Sequence, residues 1–266
     1  MTVTVREADG YIIGVSLKMY FSHARTLEWC RAVEDIARTH PAIAQGTAEL
    51  FVVPSYLSVP AAREILGDLA LVGAQDLATE DVGAYTGEVS GAQIAELGCR
   101  VVEVGHAERR RLFGETEQTV RAKTDAALRN SLAPVLCIGE AVQGTPSDAA
   151  AECIRQLDDA LALARERGHL GRVIVAYEPY WAIGAEEPAS PAYISAVCTD
   201  LREHVRALTD FPNSAVIYGG SAGPGLLTEI GDSVDGLFLG RFAHDPAAVS
   251  SILDEAHELN RADHRG

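Results

Sequence analysis

Short apolar runs alternate with amphipathic stretches along almost the whole chain. The runs at 12–17, 48–53, 69–74, 100–105, 133–138, 172–177, 215–218 and 236–239 have the length and composition of β-strands. Between them, TLEWCRAVEDIARTH (26–40), QTVRAKTDAALRN (118–130), DAAAECIRQLDDALALARERG (148–168) and AYISAVCTDLREHVRAL (192–208) repeat apolar positions at helical spacing. Shorter helices are expected after Pro60, Gly91 and Pro224. A last one is expected over 246–259, where Asp245 and Pro246 supply an N-cap and a first-turn proline.

Eight strands result, each followed by a helix, with no linker or low-complexity stretch between them. Runs such as VIVAY and VVEVG are near-continuously apolar, as parallel strands covered on both faces must be. Eight such units in 266 residues predict an α/β fold, a single-domain (β/α)8 TIM barrel over residues 1–266. An open doubly wound sheet more often carries a glycine fingerprint after its first strand, and GVSLKMY is not one.

In such barrels the active site lies at the C-terminal strand ends. Strand one ends in Ser16 and Lys18, which alternation places on one face. An ammonium facing a core is costly unless it is paired or reaches a wet cavity. The plainer alternative is that the strand stops and Lys18 faces bulk water. Strand four leads into His106 and Glu108, strand five into Cys137 and Glu140, and strand six into Glu178. Strands seven and eight end in the glycine-bearing turns YGGSAGPG and LGRFAHD. Taken singly, His106 reads as a satisfied buried histidine, Glu178 as a helix cap, and the glycines as tight turns. Together at one mouth they suit proton abstraction beside a carbonyl. A desolvated carboxylate is a stronger base, a neutral imidazole polarises the carbonyl, and lysine balances the charge. The glycine turns offer backbone N–H groups to an anion. The stretch PYWAIGAEEPAS resembles a lid, with Pro179 and Trp181 stiffening one hinge and Gly184–Ala185 forming a flexible tip.

A net charge of −16 argues against a nucleic-acid partner and means that an anionic substrate needs a locally positive pocket. No window approaches ~18 uninterrupted apolar residues, so no membrane span is expected. The start MTVTVREADG lacks the pattern of a secretory signal. Five scattered cysteines suit reduced thiols, and a cytoplasmic location is expected. Neither a metal nor another cofactor is expected, since Lys18 and His106 already supply electrophiles.

The motifs GxSxKM (14–19), GAQD (73–76), GAYTGEVS (83–90), VGHAERRRLFGE (104–115), CIGE (137–140), AYEPYWAIG (176–184) and YGGS (218–221) resemble those of triosephosphate isomerases over nearly the whole chain. The resemblance implies Glu178 as base, His106 as electrophile and Lys18 as electrostatic partner. It implies backbone amides of Gly184, Ser221, Gly240 and Arg241 as holders of a phosphate. It also implies a homodimer in which the 83–90 loop, with Thr86 at its tip, reaches the partner's active site. The chain departs from the family pattern at Ser16 (usually asparagine), Ala107 (serine), Arg241 (glycine), Tyr180 (a small aliphatic) and Glu186–Glu187 (glycine, then lysine). Ser16 frees volume, which suits a four-carbon ketose phosphate. A divergent branch of the family interconverts L-erythrulose 1-phosphate and D-erythrulose 4-phosphate, and the resemblance extends to it. Ordinary interconversion of dihydroxyacetone phosphate and glyceraldehyde 3-phosphate is the alternative. A non-catalytic sugar-phosphate-binding barrel is a third.

Overall fold

A computed structural model of the chain describes residues 10–183 and 188–263. Eight parallel strands close into a barrel in sequence order: β1 (Tyr11–Ser16), β2 (Ala48–Val53), β3 (Leu71–Ala74), β4 (Val101–Val104), β5 (Ala133–Ile138), β6 (Ile174–Tyr177), β7 (Ala215–Tyr218) and β8 (Gly236–Leu239). β8 returns to pair with β1, in register from Gly236 beside Ile12 to Leu239 beside Val15. Four strands have the expected bounds. β3, β4 and β6 start one or two residues late, and for β3 and β6 burial begins before pairing does. Ala70 and Val173 are already in the core although they lie outside the ladder.

The helices are α1 (His23–Thr39), α2 (Pro41–Ala44), α3 (Val59–Leu66), α4 (Gly91–Glu96), α5 (Ala107–Phe113), α6 (Glu117–Arg129), α7 (Pro146–Arg167), α8 (Pro191–Arg206), α9 (Leu226–Ile230) and α10 (Pro246–Asp263). α3 starts at Val59, so Pro60 lies within its first turn rather than ahead of it. α5 was not expected. None of its residues is buried, so AERRRLF has no apolar stripe to reveal it. Among the described residues no helix is long and apolar enough to cross a membrane.

Two apolar layers result. One lies between strands and helices and includes Trp29, Leu157, Tyr177 and Ile252. The other fills the barrel with Ile12, Phe51, Val101, Val135, Ile174, Ile217 and Phe238. Below it, Arg172 and Glu49 pair at 2.8 Å. The barrel interior is therefore filled by side chains, not an open pore.

Closure of β8 onto β1 needs glycine at 236. Its φ is +154°, and a Cβ there would lie 1.8 Å from the carbonyl oxygen of Ile12. Gly236→Ala must displace backbone, not a flexible side chain. Urea unfolding is expected to show a loss of about 3 kcal/mol or more.

Candidate active site

β1 delivers Ser16 at its last position, and strand geometry ends there. Lys18 follows in a left-handed conformation (φ 47°), uncommon for a residue with a Cβ. Gln75 holds this turn: its Nε2 donates to the carbonyls of Lys18 (3.0 Å) and Val53 (2.9 Å). Lys18 and Ser16 do reach one cleft, but Lys18 arrives through a turn and not by strand alternation. Nor does its ammonium face bulk water. Nζ lies 2.9 Å from Glu108 Oε1, and the side chain is 24% exposed. Burial works against this charge. The hydrogen bond to Glu108, with the charges of Glu108, Glu178 and Glu103, outweighs it and raises the pKa.

His106 caps α5, its Nδ1 accepting the backbone N–H of Glu108 at 3.1 Å. A nitrogen that accepts carries no proton, which assigns the proton of the neutral ring to Nε2. Burial, and next the charge of Lys18, pull its pKa down to about 4, so the ring is neutral near pH 7. Nε2 faces Glu178 Oε2 at 3.7 Å and Glu103 Oε1 at 3.9 Å.

Glu178 follows β6 and is 2% exposed. Its buried Oε2 has no hydrogen-bond partner. Burial, then the charge of Glu103, lift its pKa to about 8. Gly219 leaves the carboxyl its room, since a Cβ there would come within 2.9 Å of Glu178 Cγ and 3.0 Å of Oε1.

These groups line a cleft of about 330 Å³ at the C-terminal mouth of the barrel. The turns after β7 and β8 form its other wall, where Ser221, Gly240 and Arg241 stand. The Ser221 backbone is hydrogen-bonded to the Tyr218 hydroxyl, a contact with which an anion would compete. Gly184, Ala185 and the Glu186–Glu187 tip lie outside the described residues. Arg111, which the sequence did not single out, joins Lys18 and Arg241 at the cleft. An acidic chain thus places three cations around one opening.

The sequence profile described as triosephosphate isomerase matches residues 11–256. The chain belongs to the triosephosphate isomerase family. It is 52% identical over 249 residues to an L-erythrulose-1-phosphate isomerase of Pectobacterium atrosepticum, covering 93% of this chain and 96% of that protein. An L-erythrulose-1-phosphate isomerase of Mycolicibacterium smegmatis is 36% identical, with 92% of each chain covered. A triosephosphate isomerase of Moorella thermoacetica is also 36% identical, covering 91% of this chain and 97% of that one. The relatives are isomerases, and the chain is an enzyme of their family.

Not every polar residue at the strand ends faces the cleft of this family member. Glu140 turns away from it. Its Oε1 accepts from Tyr177 Oη (3.1 Å), Trp181 Nε1 (2.6 Å) and Tyr193 Oη (3.0 Å), fastening the segment around Glu178 to the end of β5. Cys137 lies beneath Glu178, within hydrogen-bond reach of its carboxyl. The Tyr180 hydroxyl donates to the Cys137 carbonyl at 3.4 Å. Glu103 was missed altogether. It occupies an inward position of β4, 3% exposed, and accepts the Ser16 hydroxyl at 3.0 Å. The signal was available, because Val101 and Glu103 share a face. The run VVEVG read as apolar and hid it.

A carboxyl whose pKa is raised by folding binds a proton that the unfolded chain releases. Its stabilising contribution is complete below the unfolded value and is lost as pH rises from about 4.5 to about 8. Glu178→Gln is therefore expected to unfold later than wild type above about pH 8, by up to roughly 5 kcal/mol. The gap should close near pH 4, as thermal melts across pH will show.

Proposed function

We propose that the chain interconverts L-erythrulose 1-phosphate and D-erythrulose 4-phosphate through an enediol. The observation that supports this chemistry is the unpartnered Oε2 of Glu178, facing a neutral His106 and close to Lys18. Glu178 removes the proton on carbon 3, beside the carbon 2 carbonyl of L-erythrulose 1-phosphate. The electron pair forms the C2–C3 double bond, and charge moves onto the carbonyl oxygen. His106 donates its Nε2 proton there, and Lys18 offsets the charge. The proton of the carbon 3 hydroxyl then passes to His106. Glu178 returns its proton to carbon 2, leaving the carbonyl on carbon 3. The balance closes with substrate and three side chains. Backbone N–H groups at Gly184, Ser221, Gly240 and Arg241 would hold the phosphate, with Arg111 and Arg241 adding charge.

Two observations favour a tetrulose over a triose. Ser16, which lines the cleft, is smaller than the amide usual in this family, a change that suits a substrate larger by one hydroxymethyl group. The relative from Pectobacterium, at 52% identity, carries that activity in its name. The triose reading is supported by relatives named triosephosphate isomerase, such as that of Rhodococcus jostii at 37% identity. A sensor without catalysis is disfavoured, since a dry base without a partner costs stability and serves no binding purpose.

The deciding measurement is kcat/KM for L-erythrulose 1-phosphate against that for dihydroxyacetone phosphate. The ratio is expected to exceed one, and a preference for the triose would overturn the substrate assignment. Glu178→Gln is expected to retain binding of inorganic phosphate and lose at least ~1,000-fold in kcat, since only the proton transfer loses its partner. A loss under about tenfold would remove Glu178 from the base role.

The chain is further proposed to act as a homodimer. Val82, Tyr85 and Thr86 stand exposed on the loop after β3, with Tyr85 51% exposed beside the mouth of the barrel. Light scattering at micromolar concentration is expected to give the mass of two chains, and a fully active monomer would contradict it.

A further inference from the structure

Glu103 has no part in the proton transfers just described, yet it is costly to keep. The inward faces of the strands are otherwise filled by groups such as Ile12, Phe51, Val101 and Phe238. A carboxyl among them loses its water and needs a partner in return. No arginine or lysine supplies one among the described residues. The nearest ionisable nitrogen is His106 Nε2 at 3.9 Å, on a ring kept neutral by its own environment. Lys18 is bonded to Glu108. What Glu103 does hold is the hydroxyl of Ser16, at 3.0 Å from Oε2.

That bond determines what Ser16 can offer to a substrate. A serine hydroxyl has one proton and two lone pairs. While the proton is committed to Glu103, only lone pairs remain to face the cleft that Ser16 lines. Ser16 is then an acceptor and not a donor, and it selects a substrate group that brings its own hydrogen. A hydroxymethyl group does so, and a carbonyl oxygen does not. A serine without Glu103 could turn its hydroxyl either way and would discriminate far less.

We propose that Glu103 and Ser16 act as one specificity element, in which Glu103 fixes Ser16 Oγ as the acceptor for the terminal hydroxyl of the substrate. Resting on the tetrulose reading above, this names the group by which a four-carbon ketose phosphate is distinguished. Glu103 is a positioning residue, acting through Ser16.

The test uses the full-length enzyme at about pH 8.5, where Glu103, pushed up to about 7 by burial, is ionised. The readout is the ratio of kcat/KM for L-erythrulose 1-phosphate to that for its 4-deoxy analogue, which lacks only the terminal hydroxyl. A hydrogen bond to this acceptor predicts a ratio of roughly 10 to 100 in wild type. Ser16→Ala and Glu103→Leu are each expected to bring the ratio close to one. In the Ser16→Ala background, Glu103→Leu should change it no further. A purely structural carboxyl would lower both rates together and leave the ratio where it was.

A wild-type ratio near one overturns the proposal. So does a Glu103→Leu enzyme, folded by circular dichroism, that keeps the wild-type ratio. If Glu103→Leu does not fold, Ser16→Ala decides, and an unchanged ratio there overturns the proposal. Each of these results leaves the tetrulose reading intact when wild type still prefers L-erythrulose 1-phosphate to dihydroxyacetone phosphate. Preference for the triose sinks both.

Discussion

The mouth of the barrel is organised by scarcity of positive charge at its floor. Glu103, Glu108 and Glu178 gather near a single ammonium, and Glu108 holds that ammonium closest. The other two carboxyls are left dry and partly uncompensated, so their pKa values rise. His106, set between them, is driven the other way by burial and by Lys18. Glu103, Glu178 and His106 thus take their protonation states from one constraint, the packing of ionisable groups into a low-dielectric space around one cation. The backbone conforms to it as well. Lys18 adopts a left-handed turn, and Gln75 braces that turn from the end of β3, across β2.

Much of this was legible in the sequence because alternation of strand and helix fixes where the strand ends go. Once the barrel was inferred, Lys18, His106, Glu178 and the two glycine turns had to meet. Three features escaped for three different reasons. α5 is a short helix without a buried face, so periodicity has nothing to report. Lys18 leaves the strand by a turn, and such dihedral angles leave no mark in a hydropathy pattern. Glu103 was masked by its valine neighbours, although a charged residue at an inward position is the kind of conflict that marks function.

Glu140 shows the opposite error. It stands at a strand end like the residues of the cleft, yet it serves as an anchor. A carboxylate two positions beyond a strand can face either the cleft or the helical layer, and sequence alone does not say which. Its surroundings decide, since two phenols and an indole converge on its Oε1. Fold and site meet here, because the segment carrying Glu178 is moored by aromatic groups of the outer layer.

That mooring also has a spectroscopic side. The chain has two tryptophans, and both indole N–H groups are committed to acceptors outside the cleft itself. Trp181 donates to the Glu140 carboxylate (2.6 Å), and Trp29 donates to the carbonyl of Ala243 (2.7 Å), in the turn just after Gly240. One indole reports on the segment just after Glu178, and the other on the turn after β8. Trp181 has a carboxylate as its acceptor and Trp29 a backbone carbonyl, so the two fluorophores sit in electrostatically different surroundings. With one of them replaced by phenylalanine, the remaining emission would follow each side of the cleft separately, without an attached dye.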